Sequence, residues 1–336
     1  MRVIFIAFFA TVLATYAAKP LEIFFIDVEG GQATLIVSPS GQSMLVDTGW
    51  PGFSNRDANR IAAAAKHAGV KKIDYVFITH FHTDHVGGAK QLADRIPVGT
   101  FVDKGKTVED DKNAKEMIEI YDNALATSGT KNGPKPKRLI VKPGDTVPVK
   151  GLDITVVAAG GEFIGGGTAN PACGTVTRKD ADPSDNAQSA GFLLKFGNFR
   201  FVDLGDLTWN KETDLVCPLN KVGQVDVFLS SHHGLDQSNP PALLAALKPK
   251  VAIMNNGAKK GGSPAAWQVI HNSPGLQDMW QVHFALAGGK ESNVADPFIA
   301  NIDTADEGHY LQLTAEADGS FKVTNSRNKY SKTYAK

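Results

Sequence analysis

Residues 80–85 read His80-Phe81-His82-Thr83-Asp84-His85, with Thr79 before them and Val86-Gly87-Gly88 after. Three imidazoles and a carboxylate within six residues form a donor set that Zn, Mn and Fe accept, because imidazole is a borderline ligand and carboxylate a hard one. No other stretch of the chain is like it. Such a run has to be held rigidly, and the residues in front of it show how. Ile73 to Ile78 is a short apolar segment expected to form a buried strand that delivers His80 at its C-terminal end. Reactive groups on loops held by a sheet are a common arrangement, so the run points to a fold with strands at its core.

Two later apolar segments end in the same manner. Phe199 to Leu204 leads into Gly205-Asp206, and Val225 to Leu229 leads into Ser230-Ser231-His232-His233-Gly234. Five of the nine histidines fall in two of these strand-end places. His67, His271, His283 and His309 lack a clustered partner and are expected to be core or surface residues. Residues two apart in an extended or tightly turned segment share a direction, so His80 and His82 suit one metal ion while Asp84 and His85 face a second. Asp206 has two oxygens and is the natural bridge; one of His232 and His233 would complete the second ion's own ligand set. Two ions roughly 3.5–4 Å apart would polarise a substrate oxygen and hold a hydroxide, with no Ser or Cys nucleophile required. A single structural zinc fits less well, since it usually takes four closed ligands rich in Cys, and Cys173 and Cys217 form no such cluster.

Around these places the chain alternates strands and helices. Strands are expected at Ile23 to Ile26, Thr34 to Val37, Ser43 to Val46, Thr100 to Asp103, Arg138 to Val141, Leu152 to Val157, Gly191 to Phe196 and Val251 to Met254. Helices are expected at Ser54 to Ala68, from Gly88 onward, Asp111 to Leu125, Pro241 to Leu247 and Pro264 to His271. A last hairpin is expected at Tyr310 to Ala315 and Phe321 to Thr324. Residues 160–185 are glycine-rich and polar and read as a mobile loop near the site, not a phosphate loop, because no Gly-Lys-Ser/Thr ending is present.

With 336 residues, 42% hydrophobic and 21% charged, the chain has room for a large core. Thirty-five basic residues balance thirty-five acidic ones, which leaves no global field for nucleic acid or an anionic membrane. Residues 1–18 combine Arg2, an apolar run from Val3 to Leu13 and small residues at Ala17-Ala18, the pattern of a secretory signal peptide. Residues 19–336 are then expected to form one exported domain with no membrane span. In an exported protein Cys173 and Cys217 could pair, but the sequence leaves that open.

Thr79 to His85 with Gly87-Gly88 is the signature of the metallo-β-lactamase superfamily. The order Asp47, His run, Asp206, His233 resembles that superfamily from about Leu21 to Asn256. The resemblance implies an α/β fold, a four-layer αββα sandwich with a dinuclear site at one edge of two sheets. Phe25 to Val28, Pro39-Ser40-Gly41, Val46 to Gly49, Ser184-Asp185-Asn186, Gly205 to Thr208 and His232-His233-Gly234 look like one branch. That branch contains the hydrolase domain of the bacterial DNA-uptake channel and the pneumococcal phosphorylcholine esterase.

By this resemblance His80, His82 and Asp206 hold the first metal and Asp84, His85, Asp206 and His233 the second. Asn186 stands where other members place a further His, and Asp47 supports the His loop without binding metal. Asp84 and His232 are the expected catalytic residues, His232 as a donor or general acid, with the order of His232 and His233 left open. Two departures stand out: Gln32 replaces a carboxylate, and Ser263 replaces a His before Pro264. The first is expected to weaken support of the site. The second removes a possible phosphate donor; Lys259 and Lys260 lie close by in sequence and could supply charge instead, with a solvated pair the favoured reading. The implied function is an exported hydrolase with two divalent ions, zinc first and Mn or Fe as alternatives, acting on a small-molecule ester or phosphoester. A lactone or β-lactam hydrolase and a non-catalytic metal-holding module are the alternatives. Oligomeric state is not legible.

Overall fold

The computed structural model of the chain describes residues 19–127, 133–303 and 307–336, and the expected signal peptide at 1–18 lies outside them. Two β-sheets face one another. The first runs from edge to edge as Ser331–Tyr334, Phe321–Asn325, Leu311–Ala315, Leu21–Phe25, Thr34–Val37, Ser43–Val46, Ile73–Phe77, Val98–Asp103 and Lys137–Ile140. The second runs as Ile299–Asn301, Asp278–His283, Val251–Met254, Val227–Leu229, Phe199–Asp203, Gly191–Phe196, Asp153–Ala159 and Glu162–Phe163.

Alternation along the strands decides which side chains fill the space between the sheets. Leu21, Ile23 and Phe25 join Met44 and Val46 in that inner core, whereas Phe24 and Leu45 turn to the opposite face. Aromatic pairs bridge the gap: Phe25 meets Phe201 and Phe77 meets Phe192, with ring centroids 6.0 and 5.3 Å apart. On the outside of the first sheet, Ile61 and Ala65 of the helix Arg56–His67, Leu92 of Ala89–Ala93, and Met117 and Tyr121 of Lys112–Leu125 pack with Phe24, Leu45 and Val76. On the outside of the second, Leu215, Leu243 and Ile270 do the same with Val202, Phe228 and Ala252. They come from the helices Trp209–Val216, Pro241–Leu247 and Pro264–His271. The layers are therefore helix, sheet, sheet, helix, the expected αββα sandwich.

Ser43–Val46 and Ile73–Phe77 are parallel, as are Phe199–Asp203, Val227–Leu229 and Val251–Met254. Their C-terminal ends meet at one edge, and this places Asp47, the His run, Asp206 and His232-His233 together. Close packing fixes the meeting. Gly205 has a φ of 57°, and a Cβ there would lie 2.8 Å from Thr79 Cβ, so only glycine lets the Asp206 loop approach the His loop.

Some elements differ from expectation. The helix expected from Ser54 starts at Arg56, because Phe53, Ser54 and Asn55 all have positive φ. Asp278–His283, Ile299–Asn301 and Ser331–Tyr334 are strands, and Trp209–Val216 a helix, that the sequence pattern did not announce. In the first of them polar Gln281 and His283 are buried because distant partners satisfy them. Gln281 bonds Asn293 Oδ1 at 2.9 Å and the Val294 N–H at 2.7 Å, and His283 Nε2 lies 2.6 Å from Asp27 Oδ1. Residues 160–185, expected to be a mobile loop, are tied down instead. Glu162–Phe163 joins the second sheet, Thr168–Ala169 pairs with Leu219–Asn220, and Cys173 forms a disulfide with Cys217. Among the described residues no helix is long and apolar enough to cross a membrane.

Candidate metal centre

The His run leaves the sheet extended and closes into one helical turn, Thr83–Val86, which turns Asp84 and His85 back toward His80. The ring centroids of His80 lie 4.1 Å from those of His85 and 4.6 Å from those of His82. Asp47 anchors this loop from the neighbouring strand. Its carboxylate accepts from the Thr79 N–H at 2.8 Å, from Thr79 Oγ1 at 2.7 Å and from His85 Nδ1 at 2.7 Å.

These contacts set the tautomers. Thr79 Oγ1 gives its proton to Asp47, so it accepts from His80 Nδ1 at 3.1 Å and His80 Nε2 is left with a lone pair. That nitrogen is buried without a partner. His82 Nε2 donates to Glu109 Oε1 at 3.0 Å and leaves Nδ1 for another role. In each case a protein oxygen fixes one ring nitrogen and frees the other, the arrangement found behind metal-binding imidazoles.

The second half of the centre comes from the other sheet. Asp206 follows Phe199–Asp203; its Oδ2 lies 3.2 Å from His85 Nε2, 3.4 Å from His233 Nε2, 3.5 Å from His232 Nε2 and 4.0 Å from His80 Nε2. Its Oδ1 is buried without a partner. His232 and His233 have φ of 52° and 54°. Consecutive non-glycine residues in this region are costly and cluster at functional sites. A clamp holds them: Asn239 Oδ1 accepts from Ser231 N–H at 3.1 Å, and Asn239 Nδ2 donates to the Ser231 carbonyl at 3.0 Å. His233 Nε2 reaches Asp84 Oδ2 at 3.1 Å and His85 Nε2 at 3.2 Å, whereas His232 Nε2 faces Asn186 Nδ2 at 3.4 Å.

The charges in this pocket are unusual. Burial opposes ionisation of Asp84 and Asp206, yet His85 and His233, with Lys260 at Asp84 and His232 at Asp206, hold both carboxyls well below their usual range. Burial also opposes a charge on His85, but Asp206, Asp84 and Asp47 outweigh it and raise its pKa well above the usual value. The carboxylates demand positive charge at this point, from a proton or from a cation in its place. His80 is pushed the other way by burial and by His85, so it is neutral. Asp84, His85, Asp206 and His233 each offer a ligand atom within 4.8 Å of the others. Converging lone pairs and carboxylate oxygens, two of them orphaned atoms, fit a metal ion.

Residues 26–182 match the sequence family described as the metallo-beta-lactamase superfamily. The chain carries a domain of this superfamily. ComE operon protein 3 of Bacillus subtilis is 24% identical over 190 residues, covering 56% of this chain and 20% of that protein. Recombination protein 2 of Haemophilus influenzae is 25% identical over 253 residues, covering 74% of this chain and 26% of that protein. A UPF0173 metal-dependent hydrolase of Haloquadratum walsbyi is 39% identical over 69 residues, 20% of this chain and 26% of its own length. The matched stretches thus span about a quarter or less of these relatives. The first two fit the branch that the sequence resembles.

Within this metallo-beta-lactamase domain the expected residues meet at one edge, and the two departures take structural forms. Gln32 is buried and hydrogen-bonded beside the site. Its side chain donates to Asp203 Oδ2 at 2.7 Å, its N–H bonds the Asp84 carbonyl at 3.1 Å and its carbonyl accepts from Gly49 at 3.0 Å. Burial pushes the Asp203 carboxyl up to about 7, and a donor amide beside it avoids a second carboxylate. Ser263 caps the helix Pro264–His271 through Ala266 N–H at 3.4 Å. The Lys pair divides: Lys259 is exposed, while the Lys260 ammonium contacts Asp84 Oδ2.

Glu109 escaped the sequence reading, and Lys260 and Asp185 were noticed without the contacts they make here. Glu109 Oε1 accepts from both His82 Nε2 and the Asp185 N–H, each at 3.0 Å. A carboxylate behind a ligating imidazole typically changes metal affinity by about 10–100-fold. Glu109→Ala is therefore expected to weaken one of two Zn²⁺ binding events by that factor in isothermal titration, with Glu109→Gln recovering most of it because an amide oxygen still accepts. Two unchanged binding events in Glu109→Ala would remove Glu109 from the site.

Proposed function

We propose that the chain is an exported hydrolase that cleaves an ester or phosphoester at a pair of divalent ions, with zinc the first choice for so imidazole-rich a site. The observation that carries this reading is the convergence of Asp84, His85, Asp206 and His233, buried and within 4.8 Å of one another. In this reading His80 Nε2, His82 Nδ1 and Asp206 hold one ion, and Asp84, His85 Nε2, His233 Nε2 and Asp206 hold the other. When bound, the pair supplies Lewis acidity and an activated water. Asp47 and Thr79 fix the imidazoles of His80 and His85 before substrate arrives, so little reorganisation is left for the reaction.

His232 borders the same space, and Asn186 turns toward it. Burial pushes the His232 imidazole below its usual value, so at neutral pH it is an uncharged ring able to exchange a proton with a substrate oxygen. The word hydrolase in the name of the Haloquadratum relative supports the reaction class. The Cys173–Cys217 disulfide supports an exported location, since disulfides persist in oxidising compartments.

The metal-loaded full chain is expected to hydrolyse at least one of bis(p-nitrophenyl) phosphate, p-nitrophenyl phosphorylcholine and p-nitrophenyl acetate. Activity should be lost on chelation and restored by Zn²⁺ or Mn²⁺. Hydrolysis undiminished by chelation would overturn the metal mechanism. Two bound ions with no turnover on this panel, lactones included, would favour a metal-holding binding module.

A further inference from the structure

A cleft of about 410 Å³ opens beside the metal centre, lined by Glu29, Trp50, Phe53, Arg56, Ala258, Lys259 and Lys260. Its chemistry is not that of the centre. Two aromatic rings and three cations face one carboxylate, and Lys260 joins the two regions. Its ammonium contacts Asp84 Oδ2 and lies 4.9 Å from the centroid of the Trp50 ring. The loop that presents it is pressed against residues 29–31: a Cβ on Gly257 would lie 2.4 Å from the Glu29 carbonyl carbon, and one on Gly30 would lie 2.8 Å from the Lys260 carbonyl oxygen.

At the outer wall Phe53 is 64% exposed, with the Arg56 guanidinium 4.7 Å from its ring centroid. The backbone holds this ring at a cost, since Phe53, Ser54 and Asn55 have φ of 43°, 53° and 63°. An apolar ring kept in water on a left-handed turn contributes nothing to the core clusters. It does complete an aromatic wall next to fixed positive charge.

We propose that this cleft binds the part of the substrate flanking the scissile bond, and that it selects an anionic phosphoester bearing a flat aromatic or heteroaromatic group. The proposal rests on the hydrolase reading and names its substrate class. Flat groups stack on Trp50 and Phe53, and phosphoryl oxygens meet the Lys260 ammonium at the border of the metal centre. A quaternary ammonium such as choline is disfavoured. A positive headgroup would meet Arg56, Lys259 and Lys260, with Glu29 the one carboxylate in the lining; Asp57 and Asp84 already pair with Arg56 and Lys260 from outside it.

The test uses the metal-loaded full chain and two readouts. In calorimetry, phenylphosphonate, which is not hydrolysed, is expected to bind wild type about tenfold more tightly than Lys260→Gln, the usual size of one charge-assisted hydrogen bond. Phe53→Ala, at an exposed position that keeps the fold, is expected to weaken it severalfold. In kinetics, wild type is expected to prefer bis(p-nitrophenyl) phosphate over p-nitrophenyl phosphorylcholine in kcat/KM, and both variants are expected to narrow that ratio mainly through KM. Equal phenylphosphonate binding by wild type and both variants, or a preference for the choline ester, overturns the proposal while hydrolysis itself leaves the enzyme reading standing. Binding that depends on Lys260 and Phe53 without turnover of any ester supports the cleft and overturns the hydrolase reading instead.

Discussion

Asp206→Ala is expected to lower hydrolysis by about 10³-fold or more and to reduce bound metal from two ions per chain to one or fewer. The carboxylate approaches His80, His85, His232 and His233 at once, between 3.2 and 4.0 Å, so it is the one group placed to serve both halves of the centre. In the proposed reading it is a ligand shared by two ions, and its loss would remove charge stabilisation worth several kcal/mol in the transition state, which corresponds to that factor in rate. The metal-free variant is also expected to lose stability, because Asp206 Oδ2 sits among four imidazoles and its loss leaves His85 with one carboxylate fewer beside it. Metal quantification and the thermal midpoint of the metal-free variant check both parts. A variant that kept two ions and near wild-type turnover would remove Asp206 from the bridging role.

How much of this was legible beforehand follows from where the information lies in the chain. The His run is local: six consecutive residues at the end of an apolar strand declare both the donor set and its placement, and Asp206 and His232-His233 repeat the pattern at two further strand ends. The strands that the sequence hid, such as Asp278–His283, carry polar residues whose partners lie far away, as His283 finds Asp27 across 256 positions. Glu109 and Asp185 were hidden for the same reason. Neither stands beside a histidine in sequence, and their value comes from folding that brings residue 109 to residue 82 and residue 185 to residue 81. Ser184-Asp185-Asn186 did draw notice as a branch feature, but attention went to Asn186. Lys260 looked like half of a solvated pair until the tight glycine packing at residues 30 and 257 set it against Asp84.

Asp185 carries the largest expected effect on stability. Its carboxylate is fully buried; Oδ2 accepts from the Phe81 N–H at 2.9 Å, and Oδ1 accepts from Lys104 Nζ at 2.8 Å and from the Val108 N–H at 3.1 Å. The Lys104 side chain is only 1% exposed, so Asp185→Ala leaves its ammonium away from water and without a counter-charge, held only by the Lys106 carbonyl at 2.9 Å, along with two unpaired backbone donors. Removing one partner of a buried pair costs about 3–5 kcal/mol, and urea unfolding of the metal-free protein is expected to show a loss of that size. Replacing both members by apolar residues, Asp185→Leu with Lys104→Met, should recover much of it, because the buried pair contributes little net stability once neither charge is left alone. The same double variant should nevertheless bind metal less tightly than wild type, since the Phe81 N–H between His80 and His82 loses the acceptor that holds it. Recovery of stability without recovery of metal affinity would separate the two roles of Asp185. A cost below about 1 kcal/mol for Asp185→Ala, the range of an exposed pair, would show that the Lys106 carbonyl and water suffice for Lys104 and that the His loop stands without this anchor.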